Sequence, residues 1–169
     1  MEIEILVFEC EQRYFGVEAR FVREVLRAVS LTSVPKAPKV VMGLVNLRGH
    51  VLPVLDTKHL LGLGECKIQT TDHLVVVDTG KCEIALHVDR AVDLLRISPD
   101  SGDKNEHEHE SKDQPSAEED HLVHHRWCSI AKTHLGVVQV LDPSRLFSHD
   151  TMKEVLDIAA SIVATELSS

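Results

Sequence analysis

The chain has 169 residues, of which 43% are hydrophobic and 27% charged, a composition typical of a globular protein of about one domain. Its 18 lysines and arginines stand against 27 aspartates and glutamates, which gives a net charge of −9 at pH 7. Proteins bind nucleic acid and anionic membranes mainly through cationic side chains, so this charge argues against both partners. No apolar run approaches the length of about 18 residues that spans a bilayer, and the N-terminal residues are acidic, so we expect a cytoplasmic protein.

The first third of the chain predicts a β-hairpin followed by a helix. Short β-rich runs at residues 3–8 and 13–17 flank a polar stretch, which is typical of a hairpin. From residue 19 to residue 29 apolar side chains recur four positions apart, which predicts a short amphipathic helix. The prolines at positions 35 and 38 end that segment.

The middle of the chain predicts five further strands. Apolar runs at residues 40–47 and 51–55, joined by a tight turn, predict a second hairpin. Asp56 is a suitable N-cap for a short helix, and Gly62 can end it in a left-handed conformation. The remaining strands are predicted at residues 73–78, 82–88 and 89–98, the last with a possible bulge, and a turn at 79–81 joins the first two.

The segment from residue 100 to residue 126 differs in composition from the rest. It holds nine acidic residues, three basic residues and five histidines, and few apolar side chains. Such a segment cannot bury enough apolar surface to offset the entropy of ordering, so we expect a mobile loop. Its candidate metal ligands are His107-Glu108-His109 and His124-His125, but a mobile loop provides no second shell of supporting contacts. We therefore predict no metal site and no cofactor, and a metal-responsive regulator remains a rival hypothesis.

The last part of the chain predicts two strands and two helices. Residues 127–131 and 135–141 are strand-like. Asp142 followed by Pro143 is typical of a helix start. Thr151 and Glu154 form the pattern of a capping box ahead of an amphipathic C-terminal helix. Many short strands with small helices between them favour one or two small barrels.

Motifs for catalysis and redox chemistry are missing from the sequence. It has no glycine-rich phosphate loop, no GxSxG, no HExxH and no GxGxxG pattern, and an enzyme with an unrecognised cleft is a weaker rival. The cysteines lie far apart without a paired spacing, which argues against a zinc site or a redox motif and favours buried thiols. They are Cys10, Cys66, Cys82 and Cys128.

Three stretches resemble the CheW family of bacterial chemotaxis coupling proteins. The most specific is VPKAP at residues 34–38 with GLVNLRGHVLPVLD at residues 43–56. The other two are YFGV followed by VREV, between residues 14 and 25, and LHVDRAVDLL at residues 86–95. The chain departs from the family pattern in its second half, where the acidic, histidine-rich segment replaces a shorter connection.

The resemblance implies a mainly β fold of two SH3-like five-stranded β-barrel sub-domains with short helices and a C-terminal helix. The sub-domains would be intertwined in one domain over residues 1–169, with residues 100–126 as a loop insertion. It also implies a non-enzymatic adaptor that binds the cytoplasmic tip of a chemoreceptor and the regulatory domain of a CheA-type histidine kinase, in the cytoplasm at membrane receptor arrays. An adaptor of a parallel array, such as one that controls twitching pili, is the alternative.

The resemblance assigns receptor contact to a turn. Arg48 is the turn arginine, and Asn46, Leu47 and Gly49 shape the turn around it. A guanidinium on a tight turn can make bidentate hydrogen bonds to carboxylate or backbone oxygens. The alternative is an ordinary surface arginine.

The resemblance also links Val22 and Glu24 to the same receptor contact, and it places Val88 along the receptor groove. Val22 fits the core stripe equally well, and for Val88 the alternative is burial on the inner face of the barrel. Gly43 is better explained by close backbone packing than by contact with a partner. The residues that bind the kinase are left unassigned.

Overall fold

The computed structural model describes residues 2–65, 67–98, 128–146 and 149–166. These residues form ten strands and two α-helices, which confirms the mainly β prediction. The strands are β1 (Ile3–Cys10), β2 (Arg13–Glu18), β3 (Val22–Arg27), β4 (Val41–Leu47), β5 (His50–Asp56), β6 (His73–Asp78), β7 (Glu83–Val88), β8 (Arg90–Ile97), β9 (Cys128–Thr133) and β10 (Gly136–Leu141). The helices are α1 (Thr57–Leu60) and α2 (His149–Glu166).

The strands form two five-stranded sheets, as predicted. Sheet A has the order β8-β1-β2-β10-β9, and sheet B has the order β3-β6-β7-β5-β4. All strands of sheet B lie consecutively in the chain, between β2 and β8 of sheet A. Most neighbouring strands pair antiparallel, but β10 pairs with β2 in parallel and β5 pairs with β7 in parallel.

The predicted hairpins are confirmed. Strands β1 and β2 pair antiparallel, as do β4 with β5 and β6 with β7. Strand β8 pairs with β1, and the register shifts at Val7 and Phe8, which confirms the predicted bulge. Strands β9 and β10 form a hairpin that starts and ends close to the predicted positions. Trp127 and the loop predicted at residues 100–126 lie outside the described residues.

The helix predicted for residues 19–29 is wrong. A single 3-10 turn, Ala19–Phe21, leads into the strand β3, which pairs with β6. Along β3 half-buried and exposed positions alternate, with Val22, Glu24 and Leu26 half-buried. Apolar residues four positions apart lie on one face of a helix and also on one face of a strand, because a strand repeats every two residues. The edge of β6, which is available for pairing, favours the strand.

The core has three clusters of buried side chains. One fills the interior of sheet A and one the interior of sheet B. The third lies between the sheets, where Phe8 and Val17 of sheet A meet Leu55, Val75 and Leu86 of sheet B. Strand β1 contributes to two clusters because alternate side chains point to opposite faces of a strand: Ile5 to the interior of sheet A and Phe8 to the core between the sheets.

The helices are short or peripheral. The carboxylate of Asp56 accepts a hydrogen bond from the backbone N–H of His59, and Gly62 has a φ of 68°, which confirms both predicted ends of α1. Helix α2 packs Val155 into the core between the sheets. The predicted capping box is wrong, because α2 begins at His149 and Thr151 lies within its first turn. Asp150 in that turn favours the earlier start, since a negative charge is stabilising near a helix N-terminus.

A partly buried ionic cluster joins the two sheets. Lys58 of α1 is largely buried, and its Nζ lies 2.8 Å from a carboxylate oxygen of Glu11 and 2.8 Å from one of Asp89. Glu11 lies in the β1–β2 turn, and its backbone N–H donates to the second oxygen of Asp89 over 2.9 Å. Lys58 therefore fixes the tip of a hairpin of sheet A against the end of sheet B.

Two cysteine side chains are described. Cys10 is buried, as predicted, and Cys82 is half-buried. Burial raises the pKa of the Cys82 thiol and outweighs the hydrogen bond with Thr79. Such a thiol is mostly protonated at neutral pH and reacts slowly.

Candidate partner-binding site

The β4–β5 turn has the geometry of a two-residue hairpin loop. Arg48 and Gly49 are its central residues, and both have positive φ, 55° and 88°. This is the type of turn whose twist matches the flanking strands. The side-chain Oδ1 of Asn46 accepts the backbone N–H of Gly49 over 2.9 Å, so the asparagine holds the turn closed. Leu47 packs its side chain against the interior of sheet B.

The turn presents Arg48 to solvent. The arginine side chain is 85% exposed. Its only ion pair among the described residues is with Glu24 of β3, where Nη1 lies 3.6 Å from Oε2. An exposed pair of this length contributes little to stability. The guanidinium therefore keeps most of its hydrogen-bonding capacity for another molecule.

The structure brings five of the seven predicted residues together at the turn, and it buries the side chains of the other two in part or completely. Asn46, Leu47, Arg48 and Gly49 share the turn, and Glu24 reaches it through its contact with Arg48. Val22 is half-buried and packs against the core between the sheets. Val88 is 0% exposed and belongs to that core, so its side chain has no surface to offer a partner in this conformation. For Val88 the core alternative holds.

Gly43 has the packing role that the sequence favours. A Cβ atom at this position would lie 2.7 Å from the carbonyl oxygen of Thr32. The backbones are this close because Thr32 and Leu44 form a β-bridge with hydrogen bonds in both directions. The glycine therefore holds the segment after β3 against β4.

Two exposed aliphatic side chains, one on β3 and one just after it, were not predicted from the sequence. Val25 is 38% exposed and Val29 is 46% exposed. The helix prediction assigned Val25 to an apolar stripe facing the core. The alternation of charged and apolar residues from position 22 to position 27 was the signal that could have identified β3 and placed Val25 on its outer face.

Ion pairs hold other exposed arginines of the molecule. Arg23 binds Asp78 over 2.5 Å and lies 3.6 Å from Glu83. The backbone N–H of Gly80 and then the Arg23 guanidinium hold the pKa of Asp78 below its usual value. Arg90 binds Glu9 over 2.7 Å, and that hydrogen bond raises the pKa of the arginine.

The described residues contain no cluster of three or more histidine, cysteine, aspartate or glutamate side chains placed to hold a metal ion. The candidate ligands His107, Glu108, His109, His124 and His125 lie outside them. Within the same part of the chain, no helix combines the length and the apolar character needed to cross a bilayer.

Comparison with known proteins agrees with this architecture. FrzA of Myxococcus xanthus is 38% identical over 96 residues, which are 57% of this chain and 60% of FrzA. The chemotaxis protein CheW of Thermotoga maritima is 31% identical over 97 residues, 57% of this chain and 64% of that protein. The alignments thus span less than two thirds of these curated relatives.

The likeness to a solved structure covers more of the chain. The crystal structure of the scaffolding protein TtCheW from Thermoanaerobacter tengcongensis superposes with a TM-score of 0.70 at 25% identity, over 89% of this chain and 96% of that chain. The model of the CheW-like domain matches residues 4–151. The chain therefore belongs to the CheW-like domain family.

Proposed function

We propose that this protein is a cytoplasmic, non-enzymatic adaptor that couples chemoreceptors to a CheA-type histidine kinase at a membrane receptor array. The observation that carries the proposal is the match to the CheW-like domain over most of the chain. Similarity to a structure described as a scaffolding protein and to proteins named chemotaxis protein CheW supports it. Such an adaptor needs binding surfaces that hold two partners in a fixed geometry, and it needs no catalytic groups.

Arg48 is the residue that we assign to the receptor. Among the described arginines that form ion pairs it is the most exposed, its backbone is held by a closed turn, and its contact with Glu24 is long. A partner carboxylate or backbone oxygen can therefore take over the guanidinium at little cost. Asn46, Leu47 and Gly49 position the turn, and Glu24 orients the guanidinium before binding.

Val22 and Val88 have different parts in this proposal. Val22 is half-buried, so its exposed fraction can contact the receptor beside Glu24. Val88 is fully buried and acts only by supporting the core beneath that surface. The family resemblance is what connects both positions to the receptor.

The first experiment identifies the partners. The full chain is titrated by calorimetry with the regulatory domain of each CheA-type kinase from its own genome, and with a soluble fragment of the cytoplasmic tip of each chemoreceptor. We expect saturable binding to one kinase and one receptor. The identity of the kinase that binds then distinguishes a flagellar output from a pilus or other output. Absence of binding to every kinase and every receptor fragment contradicts the proposal.

The second experiment tests Arg48. Arg48→Glu is expected to weaken receptor binding about tenfold or more, since a hydrogen bond to a charged group contributes about 1.5–3 kcal/mol. Arg145→Glu is the matched control, because Arg145 is also exposed and lies on a different element. Both variants should bind the kinase domain as the parent does.

A charge swap separates the two roles of the arginine. In the double variant Arg48→Glu with Glu24→Arg, the ion pair between the two positions is restored with opposite polarity. If Arg48 contacts the receptor, binding stays weak in the double variant. Full recovery of receptor binding would show that Arg48 acts only through its ion pair with Glu24.

A further inference from the structure

A cavity of about 370 Å³ lies where the two sheets join. One wall is the connection between α1 and β6, and the other comes from β1 and from the start of β8. The chain passes from sheet B to sheet A beside it, through the single residue between β7 and β8. We call this space the junction cavity. The charged residues that line it are Glu9, Lys67, Asp72, Asp89 and Arg90.

Asp72 brings a largely buried carboxylate to the wall of the junction cavity. Its side chain is 7% exposed. The oxygen Oδ2 accepts the backbone N–H of Gln69 and lies within hydrogen-bond distance of Nε2 of His87. The other oxygen, Oδ1, accepts no hydrogen bond from a described residue, and it is not sealed inside the core. Oδ1 therefore opens on the cavity as an acceptor without a donor.

Glu9 supplies a second acceptor of the same kind. Its Oε2 accepts a hydrogen bond from Nη2 of Arg90 over 2.7 Å, while its Oε1 accepts none from the described part of the chain. The third carboxylate of the cavity, that of Asp89, is different because both its oxygens are occupied. One lies against Lys58, and the other accepts the backbone N–H of Glu11. The cavity thus presents two acceptor oxygens that the protein itself leaves unused.

The charges of the junction cavity favour a cationic ligand larger than a metal ion. Its three carboxylates outnumber its two cations, and one of those cations, Arg90, is already bound to Glu9. A metal ion needs ligands that converge on one point, which no three carboxylate, histidine or cysteine side chains in the described ranges do. A guanidinium is planar and has five N–H donors, so it can reach acceptors on separate walls. A volume near the lower end for ligand sites suits a ligand of side-chain size.

We propose that the junction cavity binds a guanidinium group on a short aliphatic chain, with Asp72 and Glu9 as its acceptors. A small molecule and an arginine side chain of a protein partner both present this chemistry. The cavity shares no residue with the Arg48 turn or its contact with Glu24, so the inference is independent of the function proposed above. One charged group gives a weak complex, with a Kd in the millimolar range that rises with salt.

The test uses N-acetyl-arginine amide, a blocked arginine whose only charge is the guanidinium. It is titrated into the full ¹⁵N-labelled chain, and amide shifts are followed by NMR. We expect saturable shifts concentrated at residues 67–72 and 89–90. N-acetyl-citrulline amide has nearly the same shape without the charge, and it should not bind.

A second ligand distinguishes the two sources of the guanidinium. It is a capped peptide with one arginine between glycine and serine residues, titrated in the same way. Binding of the peptide assigns the cavity to an arginine side chain of a protein partner. Binding of the blocked arginine alone assigns it to a small molecule.

Variants of the two acceptors test their part in binding. Glu9→Gln and Asp72→Asn are each expected to weaken binding of the blocked arginine about fivefold or more, because each removes a charged acceptor. Glu4→Gln is the matched control, since Glu4 lies on the same strand and binds Arg96 over 3.0 Å. It should leave the affinity unchanged.

Arg90→Gln should change the affinity in the opposite direction. The variant releases the carboxylate of Glu9, so we expect binding to strengthen about twofold or more. Damage to the fold would not raise the affinity, which separates a ligand contact from a structural role. The proposal is overturned if no saturable shifts arise at the cavity, if the citrulline compound binds equally well, if Glu4→Gln weakens binding as much as Glu9→Gln, or if Arg90→Gln weakens it.

Discussion

His87 and Asp72 form a buried hydrogen-bonded pair inside sheet B. The Nε2 of His87 lies 2.9 Å from Oδ2 of Asp72, and the exposed fractions of the two side chains are 0% and 7%. The same carboxylate oxygen accepts the backbone N–H of Gln69 over 2.7 Å. The pair thus anchors the connection between α1 and β6 to strand β7.

We expect Asp72→Asn to lower the free energy of unfolding by about 1–3 kcal/mol, because it weakens the acceptor of one buried and one partly buried hydrogen bond. Urea denaturation of the parent, of Asp72→Asn, of His87→Val and of the double variant measures the coupling. The free energy of unfolding should fall less in the double variant than the sum of the losses in the two single variants. Strict additivity would show that the pair contributes nothing as a pair.

The ionic cluster of Lys58 gives a second prediction. Lys58→Met keeps the aliphatic stem and removes the charge that Glu11 and Asp89 share. We expect the free energy of unfolding to fall by about 1–3 kcal/mol. This loss is smaller than that for breaking a fully buried ion pair, because Glu11 and Asp89 are partly exposed. Lys153→Met on the exposed face of α2 is the control. A stability equal to that of the parent would contradict the prediction.

Gly43→Ala is expected to destabilise the fold by about 2 kcal/mol or more, since the added methyl group meets a backbone oxygen that cannot rotate away. Thermal unfolding measures the effect. The control is Gly80→Ala in the β6–β7 turn, where a Cβ has no atom within 4 Å, although the positive φ of 84° makes a smaller loss expected there. An equal loss in both variants would mean that the clash at Thr32 is relieved elsewhere.

Asp78 gives a prediction on pH. Its folded-state pKa lies below the ordinary value of 3.8, because the N–H of Gly80 and the Arg23 guanidinium favour the ionised carboxylate. The group therefore stabilises the fold above about pH 4, and this contribution is lost as the pH falls through the lowered pKa. An NMR titration of the carboxyl carbon should give a value below 3.8, and Arg23→Gln should move it part of the way back. A value at or above 3.8 would be contrary to this expectation.

The local parts of the fold were predictable from the sequence. The turn at Arg48 and Gly49 follows from two neighbouring strands joined by a short polar link that contains a glycine, and the cap at Asp56 follows from one carboxylate ahead of a short helix. Each of these features is decided by residues within about five positions of one another. The alternation of apolar residues within each hairpin favours its register, because a slip by one residue would turn the apolar side chains to the other face.

The long-range parts were not predictable. The strand β3 depends on pairing with β6, about 50 positions later, and its apolar spacing also fits a helix. The contact between Glu24 and Arg48 depends on how β3 and β4 meet across sheet B, and the burial of Val88 depends on where the two sheets pack. Such features arise from tertiary packing, which a local pattern does not encode.

The continuous run of sheet B within the chain has a consequence for biosynthesis. As the chain leaves the ribosome, the β1–β2 hairpin emerges first, but its sheet neighbours β8 and β10 follow only after all of sheet B. Sheet B can therefore complete its pairing while that hairpin still has two bare edges, and the apolar face of the hairpin can rest on the finished sheet. We expect nascent chains whose residues up to Val88 have left the ribosome to hold a folded sheet B and an incomplete sheet A, a stage at which chaperones that shield strand edges have a substrate.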